Sequence, residues 1–130
     1  MKYCAGHIKY LIAIKELTNK DEYVRCADIA RHLGVSRPGV SKMLRCLANS
    51  GYVYEDYGNS VVLTPEGKKA VNEIFGAFGE IYVFFHKFLK LPHEQAHDHA
   101  VRFVMEYPEE TCHKLCELVK RSAAKKTVHN

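Results

Sequence analysis

The stretch CADIARHLGVSRPGVSKMLRCLANSG, residues 26–51, restricts the fold more than any other part of the chain. Ile29, Ala30 and Leu33 recur at one-face helical spacing over 27–33, and the pattern stops at Gly34. After Val35, Ser36 supplies an N-cap hydroxyl, and Pro38 falls in a first helical turn, where a missing N–H costs nothing. A second helix follows with Val40, Met43, Leu44 and Leu47 facing inward, and it ends at Asn49-Ser50-Gly51. Two short helices joined by a tight glycine-containing turn make a helix-turn-helix, whose second helix fits a DNA major groove. The early residues of that helix are small, hydroxylated or basic, which suits base edges and phosphates. Arg37 is the candidate for guanine or phosphate, and Lys42 and Arg45 for phosphate. Ser36, Pro38, Gly39 and Ser41 allow close backbone approach. A solvated helical hairpin would show the same apolar spacing, so the segments around it decide.

Behind Gly51 come Tyr52–Glu55, a turn-forming Asp56-Tyr57-Gly58-Asn59, and Ser60–Thr64: strand, turn, strand. A hairpin directly after a recognition helix is the wing of a winged helix. Its tip, with Tyr57 and Asn59, is expected along the sugar-phosphate backbone or the minor groove. Upstream, Ile8, Leu11, Ile12, Ile14 and Leu17 make a first helix over 3–18 with more than one apolar face, to be wedged between other elements. Tyr23-Val24-Arg25 reads as a minor strand.

Thr64-Pro65-Glu66 opens a long helix with an N-cap, a proline at its first position and an early acid. Its apolar residues run Val71, Ile74, Phe75, Phe78, Ile81, Tyr82, Phe85, Phe88 and Leu89, one seam over several turns. Gly76 and Gly79 beside it are places for a bend or a close partner. The seam exceeds what a small winged-helix core covers. Ile74, Phe75, Phe78, Ile81, Tyr82 and Phe85 are therefore expected to form a dimer interface, or to pack on the C-terminal helices of the same chain. Leu91-Pro92 ends that helix. Two more follow: His93–Tyr107 with Ala96, Ala100, Phe103, Val104 and Tyr107 on one side, then Glu109 to about Ser122 with Cys112, Leu115, Cys116, Leu118 and Val119 inward. The expected class is mainly α: a winged helix-turn-helix domain over 1–70, a helical dimerisation region over 71–122, and a fraying basic tail over 123–130. Lys120, Arg121, Lys125 and Lys126 in that last part are further phosphate candidates.

At 130 residues, with 47% apolar, the chain has material for one core or a small domain plus a helical extension. Its formal charge of +4 permits nucleic-acid binding without demanding it. The surplus sits in residues 1–65, nine Lys/Arg against six Asp/Glu, where the DNA-reading residues lie. Lys9 and Lys15 interrupt the N-terminal apolar run, which excludes a signal peptide, and no run reaches membrane-spanning length. Five cysteines, none in a Cys-x-x-Cys pair, suit a reduced cytoplasm. No nucleophile sits in a recognisable constellation, so the expectation is a binding protein and not an enzyme.

Several motifs together resemble the diphtheria-toxin-repressor/manganese-transport-regulator family of metal-dependent bacterial repressors. They are Tyr10-Leu11-x-Ala13-Ile14, Tyr23-Val24-Arg25-x-x-Asp28-Ile29-Ala30-x-x-Leu33-Gly34-Val35-Ser36, Val40-Ser41-Lys42-Met43-Leu44, Gly51-Tyr52-Val53, Tyr57 and Leu63-Thr64-x-x-Gly67-Lys68-Lys69. The likeness is dense over 8–70 and weak but colinear over 71–120. It implies a homodimer on double-stranded DNA, with two recognition helices over 36–49 reading half-sites about one helical turn apart. It also implies a helical dimerisation and metal domain; the short form fits the manganese-regulator branch. The family's primary metal ligands do not carry over. Where that resemblance places acids in the first helix stand Lys9 and Ile12, and in the later helix stand Val101, Val104 and Met105. Ammonium and aliphatic groups cannot hold a hard divalent cation. His97 alone falls on a family ligand position, that of the ancillary site, with Glu80 the nearest substitute for its partner.

His93 and His97, four apart, can chelate a transition metal such as Mn, Fe or Zn, and His86 lies just upstream. Surface imidazoles in a row would look the same. Cys112, His113 and Cys116 offer a second cluster, readable equally as core thiols or as a redox pair. Three readings follow: a dimeric regulator with an altered metal site, a sensor of a different metal through the histidines, and a protein-interaction module that keeps the fold without DNA.

Overall fold

In a computed structural model the described residues are 3–20 and 23–129, with backbone alone described for 125–129. The helices are α1 (Ala5–Lys20), α2 (Cys26–Leu33), α3 (Arg37–Asn49), α4 (Pro65–Val83), α5 (His93–Glu106) and α6 (Glu109–His129), and a π-helical turn, Phe84–Phe88, continues α4. The described residues divide into two compact units, Gly6–Glu73 and a second made of 3–5 together with 74–129.

In the first unit, α1 buries Tyr10, Leu11, Ile12, Ala13 and Ile14 in succession as well as Ile8 and Leu17. Five consecutive buried positions span more than a helical turn, so α1 is covered on all sides, as its several apolar faces require. Helix α2 begins where the Asp28 carboxylate accepts from Arg25 N at 2.9 Å. It ends at Gly34, whose φ of 68° lies in the left-handed region that a side chain disfavours. Soon afterwards Ser36 caps α3, its Oγ accepting from Gly39 N at 3.2 Å, and Pro38 sits in the first turn. Val40, Leu44 and Leu47 are fully buried beneath α3, and Met43 is half-buried. The helix-turn-helix therefore has the boundaries its residues imply.

The wing is thinner than its sequence suggests. Val53 and Leu63 form one antiparallel bridge, flanked by Thr64 N→Tyr52 O (3.0 Å) and Tyr54 N→Val62 O (3.1 Å). No strand forms among the described residues. The pleat survives even so, with Val53 and Leu63 buried and Tyr54 and Val62 exposed. The expected strand at Tyr23–Arg25 is reduced to one contact, Val61 N→Val24 O at 2.7 Å. Thr64 closes the wing, its hydroxyl donating to Gly51 O and accepting from Gly67 N.

In the second unit the expected straight seam breaks. Gly76 and Gly79 both lie within α4, which runs unbroken to Val83. The change comes at Phe84–Phe88, where the widened π turn lets Leu89 N reach Phe84 O and Leu91 N reach Phe85 O. Ala96, Ala100 and Val104 bury one face of α5 completely, and α6 turns Cys112, Cys116 and Val119 inward. Leu118 (50% exposed) and Tyr107 (49%) face outward, against the sequence expectation. Tyr107 instead stacks on Phe103 at 4.3 Å. Backbone helix continues to His129, beyond the expected end near Ser122. Lys125 and Lys126 lie outside the residues whose side chains are described.

Candidate nucleic-acid interface and histidine cluster

Burial on one side of α3 leaves the opposite side open. Arg37, Pro38, Gly39, Lys42, Arg45, Cys46 and Asn49 lie on or toward that side, Ser36 is exposed at the cap, and Ser41 is half-buried. Lys42, Arg45/Cys46 and Asn49 follow each other at steps of three and four, so they lie on a single stripe. Three cations and no acid occupy the exposed face of a helix whose capped N-terminus adds a partial positive charge. That combination can hold phosphates and present donors to base edges. Cys46 and Asn49 belong to the stripe and were not singled out from sequence; stepping forward from Lys42 by three or four finds them. At the wing tip Asn59 is exposed, its N–H closing the turn on Asp56 O at 3.1 Å. Tyr57 is half-buried, and its carbonyl lies 4.0 Å from Cys26 Sγ.

The three candidate ligands His86, His93 and His97 do come together, as members of an aromatic row. Tyr82 stacks on His86 at 5.2 Å, His86 and His93 centroids are 6.5 Å apart, and His93 and His97 6.3 Å apart. Their rings are already engaged. His86 Nδ1 meets Leu91 O at 2.9 Å, His93 Nδ1 meets the Tyr82 hydroxyl at 2.6 Å, and His97 packs edge-on against Phe78. Among the described residues no group of three or more His, Cys, Asp or Glu is placed to hold a metal ion. The residues present do not fit the divalent cation that the fold implies. His99, not singled out from sequence, packs on Phe85 and buries its Nδ1 without a hydrogen-bond partner.

The Cys112/His113/Cys116 cluster separates. Both thiols are buried, facing Tyr107 O (3.8 Å) and Ala77 O (3.5 Å), while the exposed His113 pairs with Glu117 at 3.1 Å. Burial pushes both thiols above the ordinary cysteine range. Cys4 and Cys46 are exposed. A thiol-disulfide reagent added to the native protein near pH ~8, close to the ordinary cysteine range, is therefore expected to modify Cys4 and Cys46 promptly. Cys112 and Cys116 should react only on unfolding; rapid loss of all the thiols would contradict this burial.

Of the residues expected at a dimer interface, Ile74, Phe78 and Ile81 are already buried. Phe75, Tyr82 and Phe85 are half-buried, and the latter two pack on His93 and on Phe103 of the same chain. Phe88 (37% exposed) and Leu89 (51%) remain open.

A capped basic helix on a helix-turn-helix, followed by a wing, defines the first unit as a winged-helix DNA-binding domain. The family model described as iron dependent repressor, N-terminal DNA binding domain, matches residues 8–59. Over 64 residues, 49% of this chain, the sequence is 41% identical to the transcriptional regulator MntR of Salmonella typhimurium. Over the same length it is 39% identical to MntR of Escherichia coli O6:H1. Each match covers 41% of the relative, so the chain spans well under two thirds of those proteins. The structure is similar to the manganese regulator SloR, with a TM-score of 0.73 and 24% identity, covering 92% of this chain and 55% of that one. It is also similar to T. acidophilum IdeR, with a TM-score of 0.71 and 24% identity over 85% and 52%. These two likenesses show the fold. Over residues 8–59 the chain is thus similar to the DNA-binding domain of iron-dependent repressors and of the MntR regulators.

Proposed function

We propose that this protein is a transcription regulator, a repressor acting in the cytoplasm, which reads double-stranded DNA through α3 as a homodimer. The observation that carries this reading is the exposure of Arg37, Lys42 and Arg45 on a helix that buries Val40, Leu44 and Leu47 on one side. The names of its sequence relatives, transcriptional regulators, agree with it. Arg37 reads guanine or binds phosphate, Lys42 and Arg45 bind phosphate, and Ser36, Pro38, Gly39 and Ser41 let the backbone close on the duplex. Tyr57 and Asn59 bring the wing to the flanking backbone. Dimerisation uses the partly exposed aromatic surface of Phe75, Tyr82 and Phe85, extended by exposed Leu89; exposed apolar surface is a common mark of association.

Control by metal is altered. SloR is called a manganese regulator and ScaR a manganese-activated repressor, yet here Lys9, Ile12, Val101, Val104 and Met105 stand at the positions where the family resemblance places ligands. Ile12 and Val104 are buried hydrocarbon. A divalent ion at that site has no oxygen donors to replace its water.

Both parts are tested in one binding series. Lys42→Ala is expected to weaken binding to every DNA sequence and to reduce the slope of log K against log salt by about one per protomer bound. A chelator, and then Mn, Fe, Zn or Co salts, should leave the affinity of the unmodified protein within about twofold, well inside the roughly 1.4 kcal/mol of a tenfold change. A slope unchanged by Lys42→Ala removes that residue from the interface. An affinity that rises about tenfold with one metal restores the sensing alternative through His86, His93 and His97.

A further inference from the structure

Behind the wing, the first unit holds a cavity of about 520 Å³. This is within the range of small-molecule sites, which are mostly apolar with a few placed polar groups. Its floor is Val24, Val61, Leu63 and Val71, all buried. Its rim carries Lys15 from α1 and Lys68 from α4, with the Asn72 amide beside them. Exposed Tyr23 (63%) and Val62 (46%) extend the apolar wall to the surface. No acid is among the described lining residues, and among the described residues neither ammonium has an ion-pair partner.

An apolar hollow with two lysine ammonium groups at its mouth selects a particular chemistry. A neutral apolar molecule fills the floor but desolvates the ammonium groups without compensation. A small polar anion pairs with the lysines and leaves the floor wet. An apolar body ending in one carboxylate satisfies both, burying hydrocarbon at roughly 25 cal/mol per Å² and making charge-assisted hydrogen bonds at the rim. We propose that this cavity binds an amphipathic carboxylate, with its carboxylate at Lys15 and Lys68 and its chain over Val24, Val61 and Val71.

The occupant would touch Ser60, Val61 and Val62, the returning arm of a wing held by one bridge and a few hydrogen bonds. So weak a ladder opens easily, and a ligand that binds only its seated form holds it closed. Ligand binding would therefore be felt at the wing tip, a consequence that rests on the DNA-reading proposal. The binding itself does not.

The test uses the full chain and decanoate as probe, followed by calorimetry and by thermal unfolding, with decanol and inorganic phosphate as comparators. Decanoate is expected to bind saturably and to raise the unfolding temperature. Lys15→Gln/Lys68→Gln, checked for native helix content by circular dichroism, is expected to weaken it about tenfold, the size of one charge-assisted hydrogen bond. The proposal is overturned by absent or non-saturable decanoate binding, by decanol or phosphate binding as tightly, or by an unchanged affinity in the double variant. A second arm adds decanoate to a protein–DNA titration. Failure to bind DNA with or without decanoate would count against the DNA reading alone, while the calorimetry still decides the cavity.

Discussion

Gly67→Ala is expected to unfold or severely weaken the winged-helix domain, by about 3 kcal/mol or more. Helix propensity taken alone points the other way, since alanine in a helix is favoured over glycine by about 1 kcal/mol. Packing decides the sign. A Cβ on Gly67 would collide with Tyr52 O and lie 2.9 Å from Tyr52 C. The obstacle is backbone, and that same carbonyl accepts the bond from Thr64 N that closes the wing. The first turn of α4 can sit against the wing only if position 67 has no side chain. Relieving the clash means breaking that bond together with the Thr64 hydrogen bonds to Gly51 O and Gly67 N. For a domain of this size the destabilisation corresponds to a fall in unfolding temperature of about 10 °C or more, read by circular dichroism. Gly76→Ala on the same helix is the control. A Cβ there meets nothing within 4 Å, so the substitution should be neutral or mildly stabilising. A Gly67→Ala protein as stable as the unmodified one would mean that the wing does not depend on this approach.

Arg37→Ala/Lys42→Ala/Arg45→Ala is expected to abolish useful DNA affinity while leaving the fold intact. All three side chains are exposed and none contributes to the buried face of α3, so unfolding should shift little. Removing one phosphate-binding cation weakens binding by about a factor of ten near 0.1 M salt, so each triple-variant protomer should lose roughly a thousandfold in affinity. The salt slope should also fall by about three per protomer bound. Fluorescence anisotropy across a salt series reads both quantities. Undiminished affinity in a folded triple variant would move the DNA-binding surface away from α3 altogether. The two variants separate causes: one removes the platform, the other removes only what the platform presents.

Much of this molecule can be read from local pattern. Gly34, Ser36 and Pro38 define the turn and the start of α3 because each acts on the backbone close to itself. The apolar steps Val40, Leu44 and Leu47 define its buried side, and the basic residues between them its open side. What escaped was set by distant partners. The wing has strand-like alternation but, among the described residues, a single bridge at Val53 and Leu63. The aromatic seam looked continuous, yet the π turn at Phe84–Phe88 redirects its last residues. Cys112 and Cys116 looked like a pair with His113, but one helix turns the thiols inward and the imidazole out to Glu117.

The sequence by itself determined the helix-turn-helix, its cap and its basic face, because propensity, capping and side-chain chemistry are local properties. Only the tertiary structure decided that position 67 must be glycine, that Tyr82 and Phe78 occupy the histidine row, and that a cavity with Lys15 and Lys68 at its rim lies behind the wing. Those features depend on atoms brought together from separate elements, and no spacing along the chain records such distances.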